Sequence, residues 1–509
     1  MGDVVLGRDW AGGHEIEVDV VVCGGGAGGC MAARELARAG LSVALLEEGG
    51  DHVPGSFTQR EDEMIPELFA ERGGRRTEDL AIPILSGRGL GGSTIHNTNL
   101  CKRAAPEILR HWRDDLHVAG VGPEELAPFF EEVERDLGVR PIGEERMNAN
   151  NLVLKRGADR LGYRGAMLSH NRDERCIGSG FCELGCAYDA KLNARRVLVP
   201  EALGEGASIY TDAHVVRVEH DGRAVSGVHA VLTGRDGEPV GDLSVRARAA
   251  CLAGSAIGSA ALALRSNVPD PEIQLGHGLR LHPGALIAGL FDDPIEGWRG
   301  IPQSYECTEL LDLSPGSDKR VWIVPSFAHP IGTAALMPGF GPSLFAAMRS
   351  YGRMAVLTAM VHDETEGQVA LRDSERIGVR YEPSASDRAQ LALGAQACAK
   401  ILLAAGAREV IVPALPPIRI RQERDVTAIS EERFRPHDAR MAAVHPMGTM
   451  RMGADPSASV VDARGAHHHL RGLWVVDGSL FPTSIGGPPQ ITIYALAMKV
   501  ARTLVRDLR

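Results

Sequence analysis

No stretch of this 509-residue chain reaches the ~20 apolar residues that a membrane-spanning helix requires. Even the apolar region 321–360 is broken by prolines, glycines, Arg349 and Arg353. Residues 1–17 carry no apolar core of signal-peptide type. Basic residues are not in excess either. The 55 Lys and Arg are outnumbered by 66 Asp and Glu, and the net charge of -11 is spread along the chain, which argues against a nucleic-acid surface. Internal repeats and low-complexity segments are missing. Cysteine is sparse, and its count of nine is odd, which with no leader predicts reduced thiols and a cytoplasmic location. What remains is a globular composition, 44% hydrophobic, in a chain long enough for two or three domains.

Glycine is where the chain becomes specific. Residues 87–97 read Gly-Arg-Gly-Leu-Gly-Gly-Ser-Thr-Ile-His-Asn. Small residues let backbone lie directly against a flat ligand, and Arg88, Ser93, His96 and Asn97 add polar chemistry at fixed offsets around Gly91 and Gly92. Upstream, residues 18–23 form a short β-branched run of the kind buried on both faces of a parallel sheet. Gly24, Gly26 and Gly29 follow as G-x-G-x-x-G, then a helical pattern to about Ala39, a stop at Gly40, and a second apolar strand over 42–46. Glu47 lies 21 residues beyond Gly26, where the acid that binds a dinucleotide's ribose belongs. The helix N-terminus offers N–H groups to a pyrophosphate, and Glu47 would repel a 2′-phosphate. The ligand is therefore FAD or NAD rather than NADP.

Further along, residues 107–137 have the pattern of an amphipathic helix, and alternating segments between 209 and 232 flank Asp221-Gly222 as a β-hairpin. Residues 249–264 repeat a strand–glycine–helix passage, 387–405 form a strong helix ended by Gly406, and 473–476 form a buried strand running into Asp477. A last apolar helix starts near Gln490 and runs to about Leu508.

Together these blocks resemble the glucose–methanol–choline (GMC) flavin oxidoreductases. The resemblance rests on residues 24–29 with Glu47, 87–97, 253–259, 445–453 and 475–492, and within the family residues 276–283 and 477–484 most resemble the long-chain-alcohol-oxidase and cholesterol-oxidase-like branch. It implies a mixed α/β fold. A discontinuous Rossmann-type FAD-binding domain (16–105, 196–285, 440–509) would carry a substrate domain (106–195, 286–439) on a mixed or antiparallel sheet with helices. It also implies a small-molecule substrate, and oxygen or another electron acceptor to reoxidise the flavin.

The family's base is the histidine of His-Pro-x-Gly-Thr, here His445 in His445-Pro446-Met447-Gly448-Thr449. As hydride leaves a carbinol carbon for the flavin, such a group takes the hydroxyl proton. The resemblance places Asp477, Gln490 and Thr492 beside the cofactor and aims the last helix's N-terminus at the flavin. It also makes His96, four residues after Gly92, the candidate covalent tether. One position departs from the pattern: Pro488 stands where relatives carry a second Asn or His, and proline has no side-chain donor or acceptor. Oxidation of a CH–OH group in a hydrophobic or cyclic molecule is the leading expectation. Desaturation or aromatisation next to a carbonyl, and a non-redox lyase on the same scaffold, stay open beside it.

Other signals point to structure. Cys176, Cys182 and Cys186 offer three thiols where an iron–sulfur cluster needs four ligands, so no metal is expected. The tract His467-His468-His469 reads as a solvated turn, and Ser255 replaces a usual glycine. Trp298, Gln303, Tyr305, Trp322, Phe327 and His329 are the polar and aromatic residues available to a substrate wall.

Overall fold

The computed structural model describes residues 3–326, 328–373 and 376–509. Its first sheet has eight strands, ordered in space as Val5–Leu6, Ser208–Thr211, Val43–Leu46, Gly12–Cys23, Pro239–Leu252, Val225–Thr233 and Ala213–His220. The last three residues of Pro239–Leu252 also pair in parallel with Leu473–Val475. The central strands are parallel, with Val22 opposite Leu45 and Cys251, and their apolar residues are fully buried. Helix Ala27–Arg38 covers one face and packs against the terminal helix Gln490–Leu508 and against Ala194–Gly204. Cys23, Leu46, Leu252 and Val475 all end at one edge, so the chain turns there into Gly24, Glu47, Ala253 and Asp477. Ligands bind at this carboxyl edge in parallel sheets.

The second sheet is antiparallel throughout. Its order is Ile418–Ile420, Glu409–Val412, Gly284–Leu290, Met354–Val361, Val321–Pro325, Tyr305–Cys307 and Gly165–Met167, with Met441–Ala442 pairing to Gly284–Leu290. One face carries helix Ala385–Ala404, pressed so close that a Cβ at Gly394 would lie 2.7 Å from that of Ala359. The other face is open to the interior. Side chains alternate along strands, so Gly284, Leu286 and Ala288, then Met354, Val356, Thr358 and Met360, then Trp322 and Val324, share that free face.

The expected hairpin, the strand–glycine–helix passage and the terminal helix all form, the last as Gln490–Leu508. The single helix expected over 107–137 does not. Pro106–Arg110 continues as a wide turn through Asp115, and a new helix, Pro123–Asp136, starts after Gly120 (φ 73°) and Gly122. Those glycines and Pro123 stop one helix and start the next. The three histidines from 467 are not a solvated turn either. His467 is buried and accepts the N–H groups of His469 and Leu470, His468 meets Ser459, and His469 pairs with Glu272 at 2.7 Å. Among the described residues no helix is long and apolar enough to cross a membrane, and no cluster of His, Cys, Asp or Glu is arranged to hold a metal ion.

Candidate active site

A single cavity of about 960 Å³ runs from the carboxyl edge of the parallel sheet to the free face of the antiparallel one. At the first end, Gly24, Gly26, Ala27 and Gly28 line it. Gly24 sits at φ 114°, and a Cβ there would lie 2.4 Å from the Ala253 carbonyl. Helix Ala27–Arg38 begins at Gly26 with no side-chain cap, which leaves its first N–H groups at the cavity wall. The buried Glu47 carboxylate accepts N–H groups from Gly25 (2.7 Å), Gly49 and Gly89 (both 2.9 Å). A carboxylate has about four acceptor positions, so one is left for the cavity. Burial and the neighbouring Glu48 push its pKa up, against those three hydrogen bonds. Glu48 itself is held at about 2, because the hydrogen bond and charge of His214 outweigh burial.

The glycine loop forms the next stretch of wall. Gly92, at φ 53°, brings its backbone against Gly26 so that a Cβ would lie 2.7 Å from the Gly26 Cα. Ser93 Oγ accepts the Gly87 N–H at 2.8 Å, and Arg88 donates to the Glu48 carbonyl at 3.1 Å. His96 is buried against Phe69, with ring centroids 4.0 Å apart, and its Nε2 has no partner. Burial, then the nearby Lys191 charge, lowers its pKa to about 3. Lys191 is the buttress of this loop. Wholly buried, its ammonium donates to the carbonyls of Ile95 (2.7 Å), Asn97 (2.6 Å) and Cys182 (2.9 Å), tying the cysteine-rich turn to the loop. Asn97 Nδ2 donates to Gln490 Oε1 at 3.0 Å and joins the loop to the start of the terminal helix.

At the middle of the cavity, His445, Pro446, Asp477, Pro488, Pro489, Gln490 and Ile493 meet. His445 Nδ1 lies 3.0 Å from Nδ1 of the buried His282. Enclosure away from water lowers the His445 pKa to about 3, so the ring is neutral. Asp477 accepts from Ser479 and Ser259, and Ser259 in turn accepts the Gly254 N–H. The wall beyond is the free face of the second sheet. It adds the side chains of Thr98 and Gln303, which hydrogen-bond each other, and Ala328, Leu336 and Met337 at the far end.

Residues 18–284 and 363–497 match the two family profiles of the GMC oxidoreductases. The chain belongs to this family. It is 35% identical to an uncharacterized GMC-type oxidoreductase of Mycobacterium tuberculosis over 95% of this chain and 75% of that one. A long-chain-alcohol oxidase of Arabidopsis thaliana is 27% identical, covering 97% and 68%. Among solved structures, pyridoxine 4-oxidase from Mesorbium loti has a TM-score of 0.71 at 19% identity, covering 95% and 98%. Formate oxidase of Aspergillus oryzae has a TM-score of 0.72 at 14% identity, covering 97% and 100%.

As a GMC oxidoreductase the protein is an FAD-dependent enzyme. Its own atoms fit that cofactor: uncapped N–H groups at two helix ends, a free acceptor position on Glu47, backbone exposed at Gly24, Gly26 and Gly92, and an unpartnered Nε2 on His96. Of the residues expected near the cofactor, Gly24, Gly26, Glu47, Arg88, Gly92, Ser93, His96, Asn97, Asp477 and Gln490 line the cavity with His445. Gly29, Gly91 and Thr492 do not. Gly29 packs on the Gly24 carbonyl, Gly91 (φ 107°) shapes the turn against Ile95, and Thr492 Oγ1 accepts the Ala104 N–H at 3.0 Å. Of the polar and aromatic candidates, Gln303 and Trp322 reach the wall. Trp298 stacks on Tyr351, Tyr305 is buried in the sheet, His329 stacks on Phe181, and Phe327 lies outside the described residues. No role is expected for Lys191, and His282 stands out only within the stretch 276–283 that carries the branch resemblance. Lys191 stands among Asp189, Asn193, Arg195 and Arg196, where a buried lysine leaves no sequence signal.

Proposed function

We propose that the protein oxidises the CH–OH group of a largely apolar molecule, with His445 taking the hydroxyl proton. The observation that carries this reading is the junction at His445. There a neutral, half-buried imidazole lies between the N–H-rich end of the cavity and a wall of Leu286, Val324, Val356, Met354 and Met360. Bound FAD supplies the hydride acceptor. The N–H groups at the start of Gln490–Leu508 would favour negative charge on a bound flavin, Glu47 would hold a ribose hydroxyl, and the helix from Ala27 would hold the pyrophosphate. In this reading His96 Nε2 is the flavin's covalent tether; a tryptic peptide containing His96 with unmodified mass would refute that part. The flavin-binding part is assembled from residues 16–105, 196–285 and 440–509, and the substrate part from 106–195 and 286–439.

Pro488 on the cavity wall favours a second reaction, loss of hydrogen from two adjacent carbons beside a carbonyl, which needs one polar catalyst only. Anaerobic mixing with primary alcohols of increasing chain length and with cyclic alcohols separates the two. Bleaching of the flavin absorbance with an aldehyde or ketone product supports CH–OH oxidation. Bleaching only with saturated carbonyl compounds supports the second reaction, and no bleaching with either class sinks both. The base acts when neutral, so activity falls as pH drops through the His445 pKa. With burial holding that pKa far below the ordinary imidazole range, kcat/KM should stay flat from about pH 5 to 8. A loss of activity centred near 6.5 would contradict the geometry.

A further inference from the structure

Segments 276–284 and 441–449 run side by side. Arg280 and Met447 exchange both backbone hydrogen bonds, at 2.9 and 3.0 Å, and Gly284 pairs with Ala442. That register sets His282 against His445, Nδ1 to Nδ1 at 3.0 Å, with His445 on the cavity wall and His282 behind it. Two neutral imidazole nitrogens at this distance share one proton. If His282 donates it, the neutral His445 ring carries its own proton on Nε2, toward the cavity, and has no lone pair there to offer. If His445 donates it, Nε2 presents the lone pair. Only the second arrangement survives proton uptake, because an imidazolium has N–H at both positions and its Nδ1–H still requires an acceptor.

We propose that His282 is a positioning residue: its Nδ1 accepts the Nδ1–H of His445 and so keeps the Nε2 lone pair of His445 facing the substrate. The proposal rests on the reading of His445 as the base, yet it concerns a property of the resting protein. His282 suits the acceptor role because burial, then the neighbouring His445 and His362, hold its pKa well below the usual range, and it does not take the proton itself. In this arrangement the buried Nε2 of His282 carries its proton without a protein partner, and beside the pair Arg280 Nε and Nη1 and Asp363 Oδ1 are also unpartnered. Burial lowers His362 to about 3, Arg280 pairs with Glu366 at 2.9 Å, and Asp363 accepts from the Leu281 N–H and the Tyr381 hydroxyl. His282 also sits at φ 55°, a left-handed conformation few side chains adopt, and asparagine is among those few.

The test is the 15N spectrum of histidine-labelled, FAD-loaded protein without substrate, with the His445 signals assigned by their loss in His445→Gln. At pH 7.5 the wild type should show His445 protonated at Nδ1 and bare at Nε2. His282→Phe should mix the two tautomers and lower kcat about tenfold or more with KM within about twofold. His282→Asn, whose amide oxygen can accept the same proton, should restore both the tautomer and turnover. A protonated Nε2 in the wild type, an unchanged tautomer in His282→Phe, or full turnover with a reversed tautomer in His282→Asn would each overturn the proposal. Should His282→Phe fail to fold, the other two proteins decide. Because the tautomer is read without substrate, an error in the assigned reaction leaves this result standing.

Discussion

The two ends of the cavity are built by different means. At the cofactor end the wall is backbone: turns at Gly24, Gly26 and Gly92 and two helix starts, each made by residues close together in sequence. At the substrate end the wall is side chain, contributed by every second residue of strands Gly284–Leu290, Val321–Pro325 and Met354–Val361. Backbone offers the same N–H groups whatever the residue, so the first end suits a cofactor of fixed shape. Side chains can be exchanged singly, so in the proposed function the second end sets what is oxidised. His445 stands where the two meet.

That division can be attacked at four points. The largest effect is expected at the junction. His445→Ala should lower turnover by about 10²–10⁴ while the flavin spectrum of the purified protein stays that of the wild type, and wild-type turnover would remove His445 from the mechanism. Next is the buttress on the cofactor side. Lys191→Met strands three carbonyls, each costing about 1–3 kcal/mol when buried without a donor. It should lower the denaturation midpoint sharply and release flavin, as read by absorbance after gel filtration. Then comes the substrate wall. Ala288→Phe narrows the cavity opposite Val356 and should cut kcat/KM for the bulkiest accepted alcohol about tenfold, leaving flavin content unchanged. If flavin were lost instead, the two ends would not be separable. The smallest effect is at Ser255, held at φ 65° where glycine is at ease. Ser255→Gly should raise stability by about 1 kcal/mol in urea titration, with turnover unaltered.

The same division explains what could be read from the chain. The dinucleotide turn is legible because Gly24, Gly26, the helix and Glu47 follow one another at fixed spacings. The parallel core is legible because strands buried on both faces are apolar without interruption. The family and its FAD follow from such local blocks. The substrate wall leaves no such trace, since Leu286, Val324 and Val356 become neighbours only through strand pairing between distant segments. The roles of Lys191 and His282 were invisible for a related reason. Each acts on a partner 94 or 163 positions away, Asn97 for the lysine and His445 for the histidine. The break near Gly120 was the reverse case, with Gly120, Gly122 and Pro123 present in the sequence but overruled by the apolar periodicity on either side.

The hydrogen bond from Asn97 to Gln490 spans 393 positions, and helix Gln490–Leu508 closes the cavity against the first helix of the chain. On a ribosome, where the chain emerges from its N-terminus, the dinucleotide turn would be complete long before that last helix exists. The site is therefore complete only once residues 490–508 have been made. A chain stopped short of Gln490 carries the whole glycine signature without a closed place to keep the flavin.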